Sequence, residues 1–245
     1  MNVSIIEEIK KEEKEILDFI RYEEKLIGKF FNKFVKKLLA WVIRMVWVGE
    51  VKGLENIPME GPAIIALNHS SYFDFLCLSA ILKRPVHFLA AEKFFSSPFW
   101  APLMHLSGQI KVDRNKADKS MVYKQVLSAL KHGRLVGIFP EGTRAPNERL
   151  LKAYTGVAKI ALSAKVPIIP IGIVGAHKIM SKHHMFPRLA RAHFYIGVPL
   201  IFSEVHHLEH EDKHYRMVTD TVMHKIAELS GKKYEHAEYE KIILD

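Results

Sequence analysis

Short apolar runs alternate with amphipathic segments over most of this chain, and no other feature of the sequence constrains its fold as strongly. Seven runs of four to six residues have the length and the aliphatic composition of buried strands. These predicted strands are residues 48–52, 63–67, 86–90, 109–112, 135–139, 168–173 and 192–196. Helical patterns follow several of them, at 73–82, 99–106, 119–131 and 156–164, and a last helix is predicted over 212–230. The alternation predicts an α/β domain with a mostly parallel central sheet flanked by helices.

The chain has 245 residues, which is enough for one substantial hydrophobic core. We therefore expect an α/β domain over 51–245, preceded by an amphipathic helical segment over 1–50. The single cysteine, Cys77, excludes an intramolecular disulfide and is typical of a reducing compartment.

Polar segments follow three of the predicted strands. They are residues 68–74, 113–114 and 140–144. Functional groups in a parallel sheet gather at the carboxyl ends of its strands. We therefore expect these three segments to meet at one edge of the sheet.

The first polar segment contains His69 and Asp74. Within one regular helix these side chains would lie about 140° apart and could not meet. With His69 in the loop and Asp74 in the first helical turn, the carboxylate can bond one ring nitrogen and leave the other as a proton acceptor. This placement predicts a general base; the alternative is an Asn- and Ser-rich turn that caps the helix.

The segment after the fifth strand reads Phe-Pro-Glu-Gly-Thr-Arg, from Phe139 to Arg144. It combines a carboxylate, a glycine that lets a ligand approach the backbone, and a guanidinium that can grip phosphate in a bidentate way. An ordinary surface turn is the alternative. Arg114 could be a solvated charge beside an edge strand, and Lys152 precedes a helix whose free amides could add to an anion site.

The N-terminal fifty residues predict two helices or one bent helix. Residues 38–48 are too few to span a membrane, and Arg44 interrupts their apolar character. A helix in the plane of the membrane surface fits them better, and the alternative is a helix packed on the protein's own core. The basic side chains that could meet anionic headgroups are Lys29, Lys33, Lys36, Lys37 and Arg44. The aromatic side chains that such a helix uses at the interface are Phe30, Phe31, Trp41 and Trp47. The acidic N-terminus does not predict a signal peptide.

The formal net charge of +9 makes an anionic partner plausible. The basic residues are scattered and no zinc-finger or RNA-binding signature accompanies them, so no nucleic-acid partner is expected. Histidines near the C-terminus could share one helical face, but we expect a solvated surface and no metal site there. They are His206, His207, His210 and His214.

The segments together resemble the glycerolipid acyltransferase family, in which four motifs occur in this order. The matching residues are Asn68, His69 and Asp74 for the first motif, Gly108 and Arg114 for the second, 139–144 for the third and 166–170 for the fourth. Small departures are Ala145, where the family usually has serine, and Ala153, where a glycine is common. The resemblance covers about residues 51–199.

The resemblance implies transfer of a fatty acyl group to the free sn-2 hydroxyl of 1-acyl-sn-glycerol 3-phosphate, which forms phosphatidic acid. It implies acyl-CoA or acyl carrier protein as donor, no cofactor, and a location at the cytoplasmic face of the cell membrane, peripheral or monotopic. His69 would be the base and Asp74 its partner, and Glu141 would bond the glycerol. Backbone amides near Gly142 would stabilise the oxyanion, and Thr143 would be one of the substrate-binding residues. Arg114, Arg144 and Lys152 would hold the phosphate.

Several alternatives remain open at this point. Within the enzyme class they are glycerol-3-phosphate acylation and transacylation between phospholipids; outside it, a peripheral lipid-binding protein without turnover. A hydrolase that uses Ser70 or Ser71 is more distant, because neither serine lies in a nucleophile-elbow pattern. Cys77 falls on the apolar side of its predicted helix, where cysteines are mostly inert.

Overall fold

The computed structural model describes residues 29–98, 100–112, 120–145, 149–181, 186–203 and 212–238, with side chains from residue 35 onward. The sequence predictions for residues 1–28, Arg114, His206, His207 and His210 lie outside these ranges. The described strands are β1 (Val48–Lys52), β2 (Ala63–Leu67), β3 (Val86–Ala91), β4 (Ile110–Val112), β5 (Leu135–Ile138), β6 (Ile168–Val174) and β7 (Ala192–Ile196). The described helices are α1 (Lys29–Trp47), α2 (Asp74–Ile81), α3 (Ala101–Leu106), α4 (Ser120–Lys131), α5 (Gly156–Ala164), α6 (His177–Met180) and α7 (Asp212–Ser230).

The seven strands form one sheet in the order β1-β7-β6-β2-β5-β3-β4. Every described pairing is parallel except that between β6 and β7. The predicted α/β fold with a mostly parallel sheet is therefore confirmed. The predicted bounds of its strands and of the helices α2 to α5 and α7 are correct to within two residues.

The central strand β2 is buried along its whole length because helices cover both faces of the sheet. Its side chains alternate between two hydrophobic cores, as the pleat of a strand requires. Ile64 and Ala66 belong to one core, with α4, α5 and α7. Ile65 and Leu67 belong to the other, with α2 and the end of α1. The residues after β2 consequently leave the sheet from its buried centre.

A glycine in β5 permits close packing beside the carboxyl edge of the sheet. A Cβ atom on Gly137 would lie 2.3 Å from the ring of Phe88 on the neighbouring strand β3. The ring therefore occupies the space that a side chain at residue 137 would fill. There it supports Phe139, whose ring centroid is 5.5 Å from that of Phe88.

Helix α1 is a single helix, and one side of it packs on α2. Ile43 on that side is buried, and the indole N–H of Trp47 donates to the carbonyl oxygen of Arg188 at 3.0 Å. Leu38, Trp41 and Met45 remain exposed. One side of α1 thus packs on the protein's own core, as one of the two alternatives predicted, and the other side is exposed. None of the described helices combines the length and the apolar character needed to cross a bilayer.

Candidate active site

Asn68 fixes the point at which the chain leaves β2. Its side-chain oxygen accepts from the backbone N–H of Ile173 at 2.7 Å, and its side-chain nitrogen donates to the carbonyl oxygen of Ile173 at 3.0 Å. The amide thereby continues the pairing of β2 with β6 by one residue beyond the strand. The next residue, His69, is therefore delivered to a defined position at the carboxyl edge of the sheet.

His69 and Asp74 are in direct contact, as the sequence predicted. The ring nitrogen Nδ1 of His69 lies 2.8 Å from Oδ2 of Asp74, in the first turn of α2. The same oxygen accepts the backbone N–H groups of Ser70 and Ser71, each at 2.8 Å. Asp74 is fully buried, whereas the side chain of His69 is 18% exposed. A proton on Nδ1 leaves Nε2 as the nitrogen that can accept another.

The imidazole of His69 is also held from one face. The ring of Phe139 stacks on it with 4.0 Å between centroids and 24° between planes. The carboxylate contact fixes the ring edge and the stacked ring fixes its plane. His69 therefore has one well-defined orientation, which is what proton transfer at a fixed atom requires.

Glu141 holds the main chain at His69. Its Oε1 accepts the backbone N–H of His69 at 2.9 Å, and its Oε2 accepts that of Leu151 at 2.8 Å. The side chain is buried, and this burial raises the pKa of the carboxyl above its usual range, against the effect of the two amide donors. The family resemblance implies that Glu141 bonds the glycerol of the acceptor. Its burial and its two backbone partners instead support a positioning role.

Gly142 occupies the left-handed region with φ of +66°, which favours glycine. Its own N–H donates to the carbonyl oxygen of Phe139 at 2.9 Å. This amide is engaged within the turn. The expectation that backbone amides near Gly142 stabilise the oxyanion stays a prediction. Thr143, the next residue, is exposed.

Arg144 lies beside the catalytic candidates. The backbone N–H of its neighbour Ala145 donates to the carbonyl oxygen of His69 at 2.8 Å. The guanidinium carbon of Arg144 lies 3.5 Å from the ring centroid of Tyr72, and Nη2 donates to the Tyr72 hydroxyl at 2.8 Å. Nη1 is buried and has no hydrogen-bond partner among the described residues. A guanidinium with an unpaired N–H group is a candidate for binding an anion.

The other two predicted phosphate ligands are not brought to this point. Arg114 lies outside the described residues. Lys152 is exposed and its Nζ lies 2.5 Å from Oε1 of Glu238 in the C-terminal segment. Of the predicted basic set, the structure places Arg144 beside His69.

The candidate nucleophiles are occupied or buried. Ser71 Oγ donates to the carbonyl oxygen of Met180 at 3.0 Å and accepts the backbone N–H of Phe73 at 3.0 Å. Ser70 is buried as well. Cys77 is fully buried, and this burial raises the pKa of its thiol far above the usual range. These environments favour chemistry without a covalent intermediate on the protein. Among the described residues, no cluster of His, Cys, Asp and Glu could hold a metal ion.

Comparisons with known proteins are consistent with this arrangement. The model of a family described as Acyltransferase matches residues 49–174, about half of the chain. The chain is 28% identical over 201 residues to the 1-acyl-sn-glycerol-3-phosphate acyltransferase of Bacillus subtilis, and the match covers 82% of this chain and 97% of that protein. It is 34% identical over 140 residues to the enzyme of that name from Pseudomonas aeruginosa, and the match covers 55% of this chain and 53% of that protein.

A solved structure has the same fold. It is the crystal structure of the 1-acyl-sn-glycerophosphate (LPA) acyltransferase, PlsC, from Thermotoga maritima. The TM-score is 0.63 with 21% sequence identity, and the match covers 89% of each chain. The chain therefore spans most of the Bacillus and Thermotoga proteins but about half of the Pseudomonas protein.

Proposed function

The chain belongs to the acyltransferase family, and from this premise we propose that it transfers a fatty acyl group from an acyl thioester to the free sn-2 hydroxyl of 1-acyl-sn-glycerol 3-phosphate. The product is phosphatidic acid, and the donor is acyl-CoA or acyl carrier protein. The observation that carries the proposal is the contact of His69 Nδ1 with Asp74 Oδ2 at 2.8 Å, at the edge of the sheet beside Arg144. The names of the relatives from Bacillus subtilis and Pseudomonas aeruginosa support the choice of acceptor.

In the proposed reaction, Nε2 of His69 accepts the proton of the acceptor hydroxyl as its oxygen attacks the thioester carbonyl. The Asp74 carboxylate stabilises the imidazolium that forms. Collapse of the tetrahedral intermediate breaks the carbon–sulfur bond. The leaving thiolate then takes the proton from His69, so that ester and free thiol are the products. Because a thioester is already activated, no acyl-enzyme is needed.

Arg144 is proposed to bind the phosphate of the acceptor. A guanidinium can donate to phosphate oxygens in a bidentate way, and Nη1 of Arg144 has no hydrogen-bond partner among the described residues. The hydroxyl to be acylated lies on the carbon adjacent to the one that carries the phosphate. An arginine near the base therefore orients the reacting hydroxyl as well as binding the lipid.

Release of free thiol tests this function directly. We expect the purified protein to release thiol from a long-chain acyl-CoA only when 1-acyl-sn-glycerol 3-phosphate is present, with phosphatidic acid formed in equal amount. Thiol release with glycerol 3-phosphate in place of the lysolipid would instead identify a glycerol-3-phosphate acyltransferase. Equal thiol release without any acceptor would indicate a thioesterase, and no release with either acceptor would indicate a protein without turnover.

We further propose that the chain docks on a membrane through the outer side of α1. Leu38, Trp41 and Met45 recur at intervals of three and four residues, which places them on one face of the helix, and each is more than half exposed. Lys37 lies four residues before Trp41 and Arg44 three residues after it, so both are its neighbours on the helix surface, and both are exposed as well. Apolar and basic side chains in this arrangement are typical of helices that lie in an anionic membrane surface.

The substrate gives such docking a purpose. Removing a 16-carbon chain from a bilayer into water costs about 12 kcal/mol at ~0.8 kcal/mol per methylene. An enzyme that takes its lysolipid directly from the bilayer avoids this cost. We propose a peripheral location at the cytoplasmic face of the cell membrane, where soluble acyl donors are available.

Neutralising the two basic residues beside Trp41 tests the docking face. Lys37→Gln combined with Arg44→Gln is expected to weaken binding to anionic vesicles by on the order of thirtyfold, since each charge near such a surface contributes ~1 kcal/mol and the two together ~2 kcal/mol. Co-sedimentation with vesicles of phosphatidylglycerol and phosphatidylcholine measures the change. The double variant Val198→Ser, Ile201→Ser, at two other exposed apolar positions, is the control and should bind normally. Unchanged binding of the charge variant would contradict the proposal.

A further inference from the structure

Tyr72 lies between the two catalytic candidates in sequence, and its ring is the surface on which Arg144 lies. The guanidinium carbon is 3.5 Å from the ring centroid, a cation–π contact, and Nη2 donates to the hydroxyl at 2.8 Å. Tyr72 therefore contacts Arg144 through both its ring and its hydroxyl. No role in the reaction as described above requires a tyrosine at this position.

The ring of Tyr72 is itself held by two other aromatic residues, and we call the three together the aromatic platform. Its centroid lies 5.8 Å from that of Phe94, edge-on, and 5.9 Å from that of Trp100. Phe94 and Trp100 are 6.0 Å apart and also meet edge-on. The backbone N–H of Tyr72 donates to the carbonyl oxygen of Met180 at 3.1 Å. The platform is thus fixed by packing and by a main-chain hydrogen bond, and its position does not depend on Arg144.

The turn between His69 and Asp74 fixes the position of Tyr72 relative to His69. Asp74 Oδ2 accepts the amides of Ser70 and Ser71 and contacts His69 as well, so the turn is closed on one carboxylate oxygen. Tyr72 is the next residue in this turn. A closed turn of this length does not let Tyr72 move independently of His69.

From these contacts we propose that Tyr72 is a positioning residue that holds the Arg144 guanidinium at a fixed place relative to His69. The inference rests on the proposed function, in which Arg144 binds the acceptor phosphate. An arginine side chain has many rotamers, and ordering it during binding weakens affinity. On the platform it is ordered before the acceptor arrives, and its Nη1 has no hydrogen-bond partner among the described residues. Tyr72 thereby favours acceptors that carry a phosphate next to the reacting hydroxyl.

Kinetics of Tyr72 variants with two acceptors test the proposal. Tyr72→Leu removes the ring and the hydroxyl, and we expect it to raise the KM for 1-acyl-sn-glycerol 3-phosphate about tenfold or more. Tyr72→Phe keeps the ring and removes the hydroxyl, and we expect a rise of about threefold to tenfold. The KM for acyl-CoA should stay within about twofold of the wild-type value. Turnover of monoacylglycerol, an acceptor without phosphate, should be unchanged in both variants.

Two further variants make the result specific. Tyr123→Phe removes a hydroxyl that contacts Ser163 and Lys159, on α4 and α5, and it should leave both acceptors unaffected. With Arg144→Ala already present, Tyr72→Leu should raise the KM for the phosphorylated acceptor no further, because the residue that it positions is gone.

The inference is overturned if Tyr72→Phe and Tyr72→Leu leave the KM for the phosphorylated acceptor unchanged, or if both acceptors lose the same factor in kcat/KM. Equal losses would mean that the platform merely supports the fold. If Tyr72→Leu does not fold, Tyr72→Phe with the same two acceptors decides between these outcomes. A wild-type protein without acceptor-dependent thiol release would refute the proposed function itself, which is a separate result.

Discussion

Replacing His69 with alanine is expected to lower the turnover of acyl transfer by about 10²- to 10⁴-fold, the loss typical of removing a general base. Nδ1 of the imidazole contacts Asp74 at 2.8 Å, and the ring stacks on Phe139 with 4.0 Å between centroids. These two contacts fix the orientation of the ring and leave Nε2 to accept the proton. Acceptor-dependent release of thiol from acyl-CoA by the purified variant measures the effect. KM for either substrate should change little.

The folded structure of this variant should persist. Residue 69 is tied to Glu141 and Ala145 through its main chain, and alanine keeps both hydrogen bonds. Thermal unfolding close to that of the wild type would establish that activity is lost without loss of fold. His132→Ala, at an exposed histidine that follows α4, is the matched control and should retain full turnover. Wild-type turnover in purified His69→Ala protein would rule out the base assignment.

Asp74→Asn is expected to reduce turnover by a similar factor, about 10²- to 10⁴-fold, although its side chain has nearly the same shape. A neutral amide does not stabilise the imidazolium. If the amide nitrogen faces Nδ1, it also imposes the tautomer in which Nε2 carries a proton and cannot accept one. The loss should appear in kcat, because Arg144, the proposed phosphate ligand, is untouched.

This variant should also be less stable, unlike His69→Ala. Oδ2 of Asp74 accepts two backbone amides in a fully buried turn, and weakening bonds to a charged group costs about 1–3 kcal/mol. Urea unfolding measures that loss and kcat per folded molecule measures the catalytic one. Asp220→Asn is the control for stability, since Asp220 is equally buried and bonds Arg216 and the hydroxyl of Tyr234 away from His69. If Asp74→Asn kept normal kcat per folded molecule, the carboxylate would have a structural role only.

The pattern of apolar residues determined the architecture. The run from Ala63 to Leu67 predicts a strand buried on both faces, and the structure places it at the centre of the sheet. At two of the strand ends whose bounds differ, a side chain has a specific partner. Gln109 precedes β4, and its Oε1 accepts the backbone N–H of Phe88 at 2.6 Å. Phe139 leaves β5 and stacks on His69. Short α6 was not predicted because four residues make one turn, too few for a periodicity to be seen.

The sequence also determined the contact of His69 with Asp74, because five residues of chain restrict the geometry enough to argue from helix and loop placement. The tertiary structure alone decided the role of Glu141, the engagement of the Gly142 amide and the pairing of Lys152 with Glu238. It also decided that Tyr72 lies under Arg144. The physical reason is that the buried positions of a strand or helix recur at regular intervals, so the apolar residues that fill them form a periodic pattern in the sequence. A hydrogen bond between residues 72 positions apart, as in His69 with Glu141 or Arg144 with Tyr72, depends on how the strands are ordered in the sheet.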